Sequence, residues 1–383
     1  MKYGLLYYKD TDNIGDDIQS YAASQFLPKI DYMIDREHLN EFVPKKKEYV
    51  KTIMNAWYIH DKFNFGISPY INPLLISMFF KNFPYTSGIT VGMDYINDNV
   101  KDILKKYGPV GTRDFHTQKM LNNLKVDNYF SGCMTLTINK FDNITQGEYI
   151  VVNGLTNEEI EYIKSKTNRK IIKFQQDIEK GSLSDESWEK RKNRVIDVLK
   201  LYQGAHMVIT NKLHCSLPCL ALETPVLLLY DKSFAENKDR IGTYKEYLNY
   251  IDRNKFMNQK INFENPKKNP DKYLEIRKKL VKECNNFIKN ECDFDAKLLP
   301  DIDTYCNLTE KAITEKKVII KHLEKLQCKY EKECEKSSKM FDEITKLNNE
   351  KQQLKEIEIE YNKILNSRSW KVITKIRKII KHN

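Results

Sequence analysis

Three short segments hold residue types that can handle an anion and a proton. The first is Asn13-Ile14-Gly15-Asp16-Asp17. Gly15 allows a tight turn, and backbone N–H groups at a helix start can hold an anion. Asp16 and Asp17 suit the helix dipole, or a hydroxyl-bearing substrate. The second is Gly111-Thr112-Arg113-Asp114. At the C-terminal end of a strand, the planar fork of Arg113 suits a carboxylate or phosphate. The third is Thr210-Asn211-Lys212-Leu213-His214. Lys212 offers a fixed cation and His214 a group that titrates near neutral pH, so anion binding and proton transfer can share one place. Each segment also has a plainer reading: an ordinary N-cap, a surface Arg113–Asp114 turn, a satisfied polar histidine. None matches G-x-G-x-x-G, which argues against a dinucleotide site. No Asp/His cluster has ligand spacing, so neither a metal nor a cofactor is expected.

The elements around these segments follow from hydrophobic patterning. Residues 3–8 read as a buried strand, and Ile18, Tyr21, Ala22 and Phe26 mark one face of the helix that Asn13–Asp17 opens. Further strands are expected at 51–58, 88–93, 109–112 and 127–130, with helices at 99–107 and 115–124. A second set runs strand 149–153, helix 157–165, strand 170–174, helix 185–202, strand 206–210, helix 213–222 and strand 225–230. The apolar run 74–80 is short enough to be a core element. Alternating strands and helices imply an α/β fold with mostly parallel sheets covered on both faces. Two sets suggest two lobes, about 1–140 and 141–255, with a cleft between them. From 256 to 312 the pattern turns helical. Over 313–365 a heptad column of Leu326, Met340, Leu347, Leu354 and Tyr361, interrupted by Glu333, predicts a coiled coil or helical hairpin and so a homo-oligomer.

Composition narrows the class. With 383 residues, 40% hydrophobic and 11% aromatic, the chain can fill a real core. The eight cysteines form no C-x-x-C pair, so a structural zinc site is not expected. The start, Met1-Lys2-Tyr3-Gly4, shows no secretion core, and reduced, cytosolic thiols are the expectation. No apolar run approaches the roughly 18 residues that span a bilayer.

Taken together, four marks resemble the polysaccharide pyruvyl transferase family: the Asn13–Asp17 turn, Thr112-Arg113-Asp114, Ser131-Gly132-Cys133-Met134-Thr135-Leu136, and Asn211 to Pro225. The resemblance covers roughly the first 250 residues. It implies a two-lobed, Rossmann-like, glycosyltransferase B-like fold. It also implies transfer of a pyruvyl group from phosphoenolpyruvate to hydroxyls of a cell-surface saccharide, possibly lipid-linked. By position, His214 would be the acid/base residue and Arg113 and Lys212 would hold the donor. Asn211, Asn13, Gly15, Asp16, Ser131 and Gly132 would complete the substrate site. Lys212 stands where the family carries Arg, and Glu223 where a Gly is common before Thr224-Pro225. A nucleotide-sugar glycosyltransferase and a non-catalytic glycan-binding or assembly protein are the alternatives.

The net charge is +11, and residues 366–383 alone hold Arg368, Lys371, Lys375, Arg377, Lys378 and Lys381 with no acid. Trp370, Ile373, Ile376 and Ile380 fall near one face. This is the pattern of an amphipathic helix on anionic lipid. The Ser-x-Ser-Trp-Lys start also resembles the ends of many bacterial envelope-sugar glycosyltransferases. Basic residues are not interleaved with stacking aromatics, which argues against nucleic acid. The expected location is therefore cytoplasmic, at the inner face of the membrane. Deleting 366–383 should abolish co-flotation with anionic liposomes; undiminished flotation would refute the membrane role.

Overall fold

Strand β1 (Lys2–Tyr7) sends Leu5 and Leu6 to opposite faces of its sheet, because side chains alternate along a strand. The computed structural model describes residues 1–58, 66–80, 98–179, 182–231, 240–290 and 296–366. After β1 come helix α1 (Ile14–Ser24), β2 (Tyr32–Asp35), β3 (Val50–Ile53), β4 (Trp57–Tyr58), β5 (Ile71–Leu74) and β6 (Phe79–Phe80). Then follow α2 (Asp98–Tyr107), β7 (Val110–Thr112), α3 (Phe115–Asn123) and β8 (Asn128–Phe130). The second set is β9 (Tyr149–Asn153), α4 (Asn157–Lys164), β10 (Lys170–Phe174), α5 (Trp188–Gln203), β11 (Met207–Thr210), α6 (Leu213–Ala221), β12 (Val226–Tyr230) and β13 (Asn249–Asp252).

Two parallel sheets result, ordered β2-β1-β3-β5 and β10-β9-β11-β12-β13. In the first, the chain leaves β1 for β2 on one side and returns to β3 on the other. In the second it leaves β9 for β10 and returns to β11. Each reversal opens a crevice at the C-terminal strand ends, where open α/β sheets bind ligands. Asn13 follows β1, and Asn211 follows β11.

Three buried clusters fill the unit. Val50, Ile34 and Leu6 face α2 and α3 residues such as Leu104 and Leu121. On the far side, Ile150, Val152 and Ile209 pack with Ile160 and Ile163 of α4. Between the sheets lies a cluster that both supply: Leu5 and Ile53 from the first, Val151, Val208 and Leu228 from the second. Its filling includes Ile14, Ile18 and Ala22 of α1, Val195 and Leu199 of α5, and Leu217 and Leu220 of α6.

Departures from the expected elements have local causes. The strand expected over 51–58 is two, β3 and β4. Strand β5 was not expected, because Pro73 lies inside it. It sits at the edge of its sheet, where Pro73 leaves no ladder donor missing. The apolar run 74–80 is core as expected, with Leu75, Ile76, Met78 and Phe79 buried. The strand expected at 88–93 lies outside the described residues, as do 367–383.

The globular unit runs from Met1 to Cys306, past the expected boundary at 255. The reason is the helix Tyr273–Lys289, which buries Tyr273, Leu280 and Cys284 in the central cluster. Arg277 Nη1 donates to the carbonyls of Leu136 at 2.8 Å and Ile138 at 2.9 Å. Lys51 Nζ donates to Phe287 O at 2.6 Å and also to Asn290 O, closing carbonyls that a helix end leaves open. The terminal helix, Ile302–Asn366, is one uninterrupted element of 65 residues, not a hairpin. On it Leu326, Met340, Leu347 and Leu354 are exposed. Among the described residues no helix is long and apolar enough to cross a membrane.

One buried ion pair crosses between the halves. Arg191 of α5 meets Asp17 of α1 at 2.6 Å, both side chains 1% exposed. Its remaining N–H groups donate to Tyr8 O and Lys9 O. Burial raises the Asp17 carboxyl pKa in spite of Arg191. Removing one partner of such a pair leaves an uncompensated charge and costs about 3–5 kcal/mol. Arg191→Ala should lose that much in urea unfolding, while Lys140→Ala, at an exposed pair with Glu223, should lose under about 1 kcal/mol. Equal losses would refute the account.

Candidate active site

Asn13 ends the β1 turn in an extended conformation and caps α1, its Oδ1 accepting from Gly15 N at 2.7 Å. At the other turn, Lys212 occupies the N-cap of α6 and offers no side-chain cap, so the first N–H groups of α6 are left open. The two turns face each other across a cavity of about 290 Å³. Asp12, Asn13 and Asp16 line it from the first turn, and Asn211, Lys212 and His214 from the second.

Gly15 is where the turns touch. A Cβ on it would lie 2.9 Å from both Cβ and Nδ1 of His214. Only glycine lets the imidazole settle against the start of α1. A proline explains how the neighbouring segment is tied in. Pro218 cannot donate to the carbonyl four residues back, which belongs to His214. Gln176 Nε2 donates to that carbonyl instead, at 2.8 Å. The Gln176 carbonyl in turn accepts from Ile14 N at 3.0 Å, and Ile178 N donates to Asp12 O at 2.8 Å. The stretch after β10 thus stitches the start of α6 to the start of α1.

His214 keeps some surface at the cavity, and neither ring nitrogen hydrogen-bonds to another described residue. Burial on its other sides lowers its pKa from 6.5 to about 3, helped by the charges of Arg113, Arg240 and Arg36 and opposed by Asp16. The imidazole is therefore neutral in the free protein at neutral pH. These cations arrive from three different elements. Arg113, buried after β7, donates to Gln19 Oε1 at 2.7 Å and lies 4.9 Å from the Phe79 ring centre. Arg36, after β2, meets Asp16 at 2.8 Å and covers the Tyr8 ring. Arg240 lines the cavity over the Trp57 ring.

The expected residues divide into two groups. His214, Lys212, Asn211, Asn13 and Asp16 share the cavity, and Gly15 forms its seam. Arg113 acts on it through charge. Lys212 is engaged at the rim: its Nζ meets Asp177 Oδ2 at 2.8 Å, while Asn13 Nδ2 donates to the same carboxylate at 2.9 Å. Asn211 folds its amide over Gly154, whose φ is +75°, and its Oδ1 accepts no hydrogen bond among the described residues.

Ser131 and Gly132 are not brought to this cavity. Ser131 Oγ donates to Thr112 O and accepts from Ser77 N, both at 3.0 Å, while Ile276 fills the place of a side chain at Gly132. They tie loops together. The residues missed in the sequence are Asp12, Gln176, Asp177, Trp57, Arg36 and Arg240. Only Gln176 had a signal: Pro218 four residues after His214 announces a carbonyl in need of a donor. Among the described residues no group of three His, Cys, Asp or Glu side chains is placed to hold a metal ion.

Comparison with known proteins gives one family. Residues 13–233, over half of the chain, match the family model described as polysaccharide pyruvyl transferase. No curated protein matches. Among solved structures, a functionally uncharacterised protein from Klebsiella pneumoniae subsp. pneumoniae has 11% identity and a TM-score of 0.35, covering 65% of this chain and 92% of its own. The Methanocaldococcus jannaschii UDP-GlcNAc 2-epimerase, in complex with UDP-GlcNAc and UDP, has 9% identity and a TM-score of 0.33, covering 82% of this chain and 100% of its own.

The depressed pKa of His214 has a consequence for stability. Below 6.5 the unfolded chain takes up this proton, whereas the folded chain does so only near 3. The contribution is complete above 6.5 and is lost as pH falls through that window, by up to about 1.4 kcal/mol per pH unit. Urea unfolding between pH 7 and pH 4 should therefore show a shallower fall for His214→Gln than for the unaltered protein. Identical slopes would contradict the assignment.

Proposed function

This chain belongs to the polysaccharide pyruvyl transferase family, and from that premise we propose that it moves a pyruvyl group from phosphoenolpyruvate to two hydroxyls of a saccharide. Membership makes it a transferase of polysaccharide biosynthesis. The observation that carries the donor reading is the His214 cavity: a neutral imidazole, the uncapped start of α6 and three guanidinium charges acting on one place. Such a place favours a small, multiply charged anion.

The chemistry balances with these groups. One acceptor hydroxyl adds to C2 of the donor, and C3 gains a proton to become a methyl group. The second hydroxyl then displaces phosphate from C2; the C2–O bond to phosphate breaks, and the second hydroxyl proton leaves with it. His214 is the acid/base residue. Neutral when the cavity is empty, it gains proton affinity once donor charge offsets Arg113, Arg240 and Arg36. Lys212, released in part from Asp177, holds the donor as a point charge, and Arg113, which does not line the cavity, acts on it through its charge. Asn211, Asn13, Gly15 and Asp16 shape the same wall, and the unpartnered Asn211 Oδ1 suits a ligand hydroxyl.

The two sheets are read as the lobes of a glycosyltransferase B-like frame, joined through the central cluster. Exposed Leu326, Met340, Leu347 and Leu354 are read as the seam that pairs terminal helices of two copies. Residues 366–383 are read as the contact with anionic lipid at the cytoplasmic membrane face, where a lipid-linked acceptor would be met. One observation favours a non-catalytic glycan-binding member instead, namely the engagement of Lys212 by Asp177.

Phosphate release from phosphoenolpyruvate in the presence of a saccharide acceptor separates these readings. The unaltered protein should release phosphate, and His214→Ala should do so at least about 100-fold more slowly. Full activity in the variant would remove His214 from the mechanism, and no release from either would favour the non-catalytic reading.

A further inference from the structure

A larger cavity, about 670 Å³, lies apart from the His214 residues, against the helix Tyr273–Lys289. Its volume falls within the range of about 300–1,000 Å³ typical of small-molecule sites. Three rings line it: Tyr129 and Phe130 at the end of β8, and Tyr247. Phe130 and Tyr247 stack with centroids 6.4 Å apart and planes at 27°. The lining also holds four carboxylates, Glu246, Asp271, Glu275 and Glu283, against only Lys272 and Lys279. Lys272 and Glu246 form a loose pair at 3.6 Å. The Tyr129 and Tyr247 hydroxyls and the Asp271, Glu275 and Glu283 carboxylates make no hydrogen bond or ion pair with another described residue. Burial and then Glu283 raise the Tyr129 pKa to about 12, so this phenol stays a donor.

We propose that this groove binds a saccharide that is neutral or bears free amino groups. Ring faces cover the apolar faces of pyranose units, and unsatisfied phenols and carboxylates answer their hydroxyls. The acidic surplus of two charges repels phosphoenolpyruvate and acidic sugars, so the groove and the His214 cavity select opposite ligands. The stretch Thr112–Arg113 links the two sites, since the charge of Arg113 acts on His214. Tyr244, in ring contact with both Phe130 and Tyr247, donates its hydroxyl to the Arg113 carbonyl at 2.5 Å. Ser131, which lines the groove, donates its hydroxyl to Thr112 O in that same stretch. The groove is thus placed to hold part of an acceptor chain. This role rests on the transferase reading, whereas saccharide binding itself does not.

Titration calorimetry on the full chain tests it, with maltose and lactose as neutral probes, chitosan dimer as the amino probe and digalacturonate as the acidic one. Neutral and amino disaccharides should bind. Tyr247→Ala and Glu275→Gln should each weaken them about fivefold or more, as loss of a stacking or hydrogen-bonding group does. Digalacturonate should bind more weakly than any of the others. Glu275 is exposed, so Glu275→Gln should keep the unaltered melting temperature. Phosphoenolpyruvate, titrated in parallel, should bind both variants as it binds the unaltered chain. Failure of all neutral and amino probes, equal affinity in both variants, or digalacturonate binding as tightly as maltose would overturn the proposal. Loss of phosphoenolpyruvate binding alone in the unaltered chain would strike the donor reading and leave the groove standing.

Discussion

The Asp17 carboxylate closed against the Arg191 guanidinium, inside the protein and out of water, decides where the first helix goes. Two charges are tolerated there because each is paired and the rest of the Arg191 fork is spent on Tyr8 O and Lys9 O. The pair ties α1, which also packs on its own β1, to α5 of the other half. Ile14, Ile18 and Ala22 can then fill the central cluster beside Val195 and Leu199. The site follows from this. With α1 fixed between the sheets, its start meets the start of α6, and the turns after β1 and β11 form one cavity.

Electrostatics inside that cavity come from the same convergence. Arg113, Arg36 and Arg240 are distant in sequence and reach His214 only because three separate segments are brought together. Each is anchored by a neighbouring side chain: Arg113 by Gln19, Arg36 by Asp16, Arg240 by the Trp57 ring. Anchored cations do not reorganise as charge moves, which is what lowers the energy of an anionic transition state. On the proposed reading, His214 takes up a proton only in company with an anion, which would couple donor binding to readiness for proton transfer.

Much of this was legible in the chain. Strand β9 has the expected bounds, since an apolar run buried on both faces leaves little choice of period, and the edge strand β10 has them too. The turns carrying Asn13, Arg113 and His214 were placed correctly at strand ends. What could not be read depends on contacts made across the fold. Lys212 reads as a cation, yet its partner Asp177 is in a different turn. Ser131 and Gly132 read as part of the His214 site, yet Ser131 ties Ser77 to Thr112 and Gly132 makes room for Ile276 of the helix Tyr273–Lys289. That helix lay outside the expected domain because its Lys-rich face hid three buried residues. Pro218 is the instructive case: the proline was visible, and only its effect on the His214 carbonyl, answered by Gln176, needed the structure.

The central claim is that one anionic ligand engages both turns at once, across the seam between the sheets. Hydrogen exchange of the full chain with and without phosphoenolpyruvate tests this most directly. The account predicts simultaneous protection of residues 12–16 and 211–214 at the same ligand concentration. Protection of one turn without the other, or of neither, would contradict it.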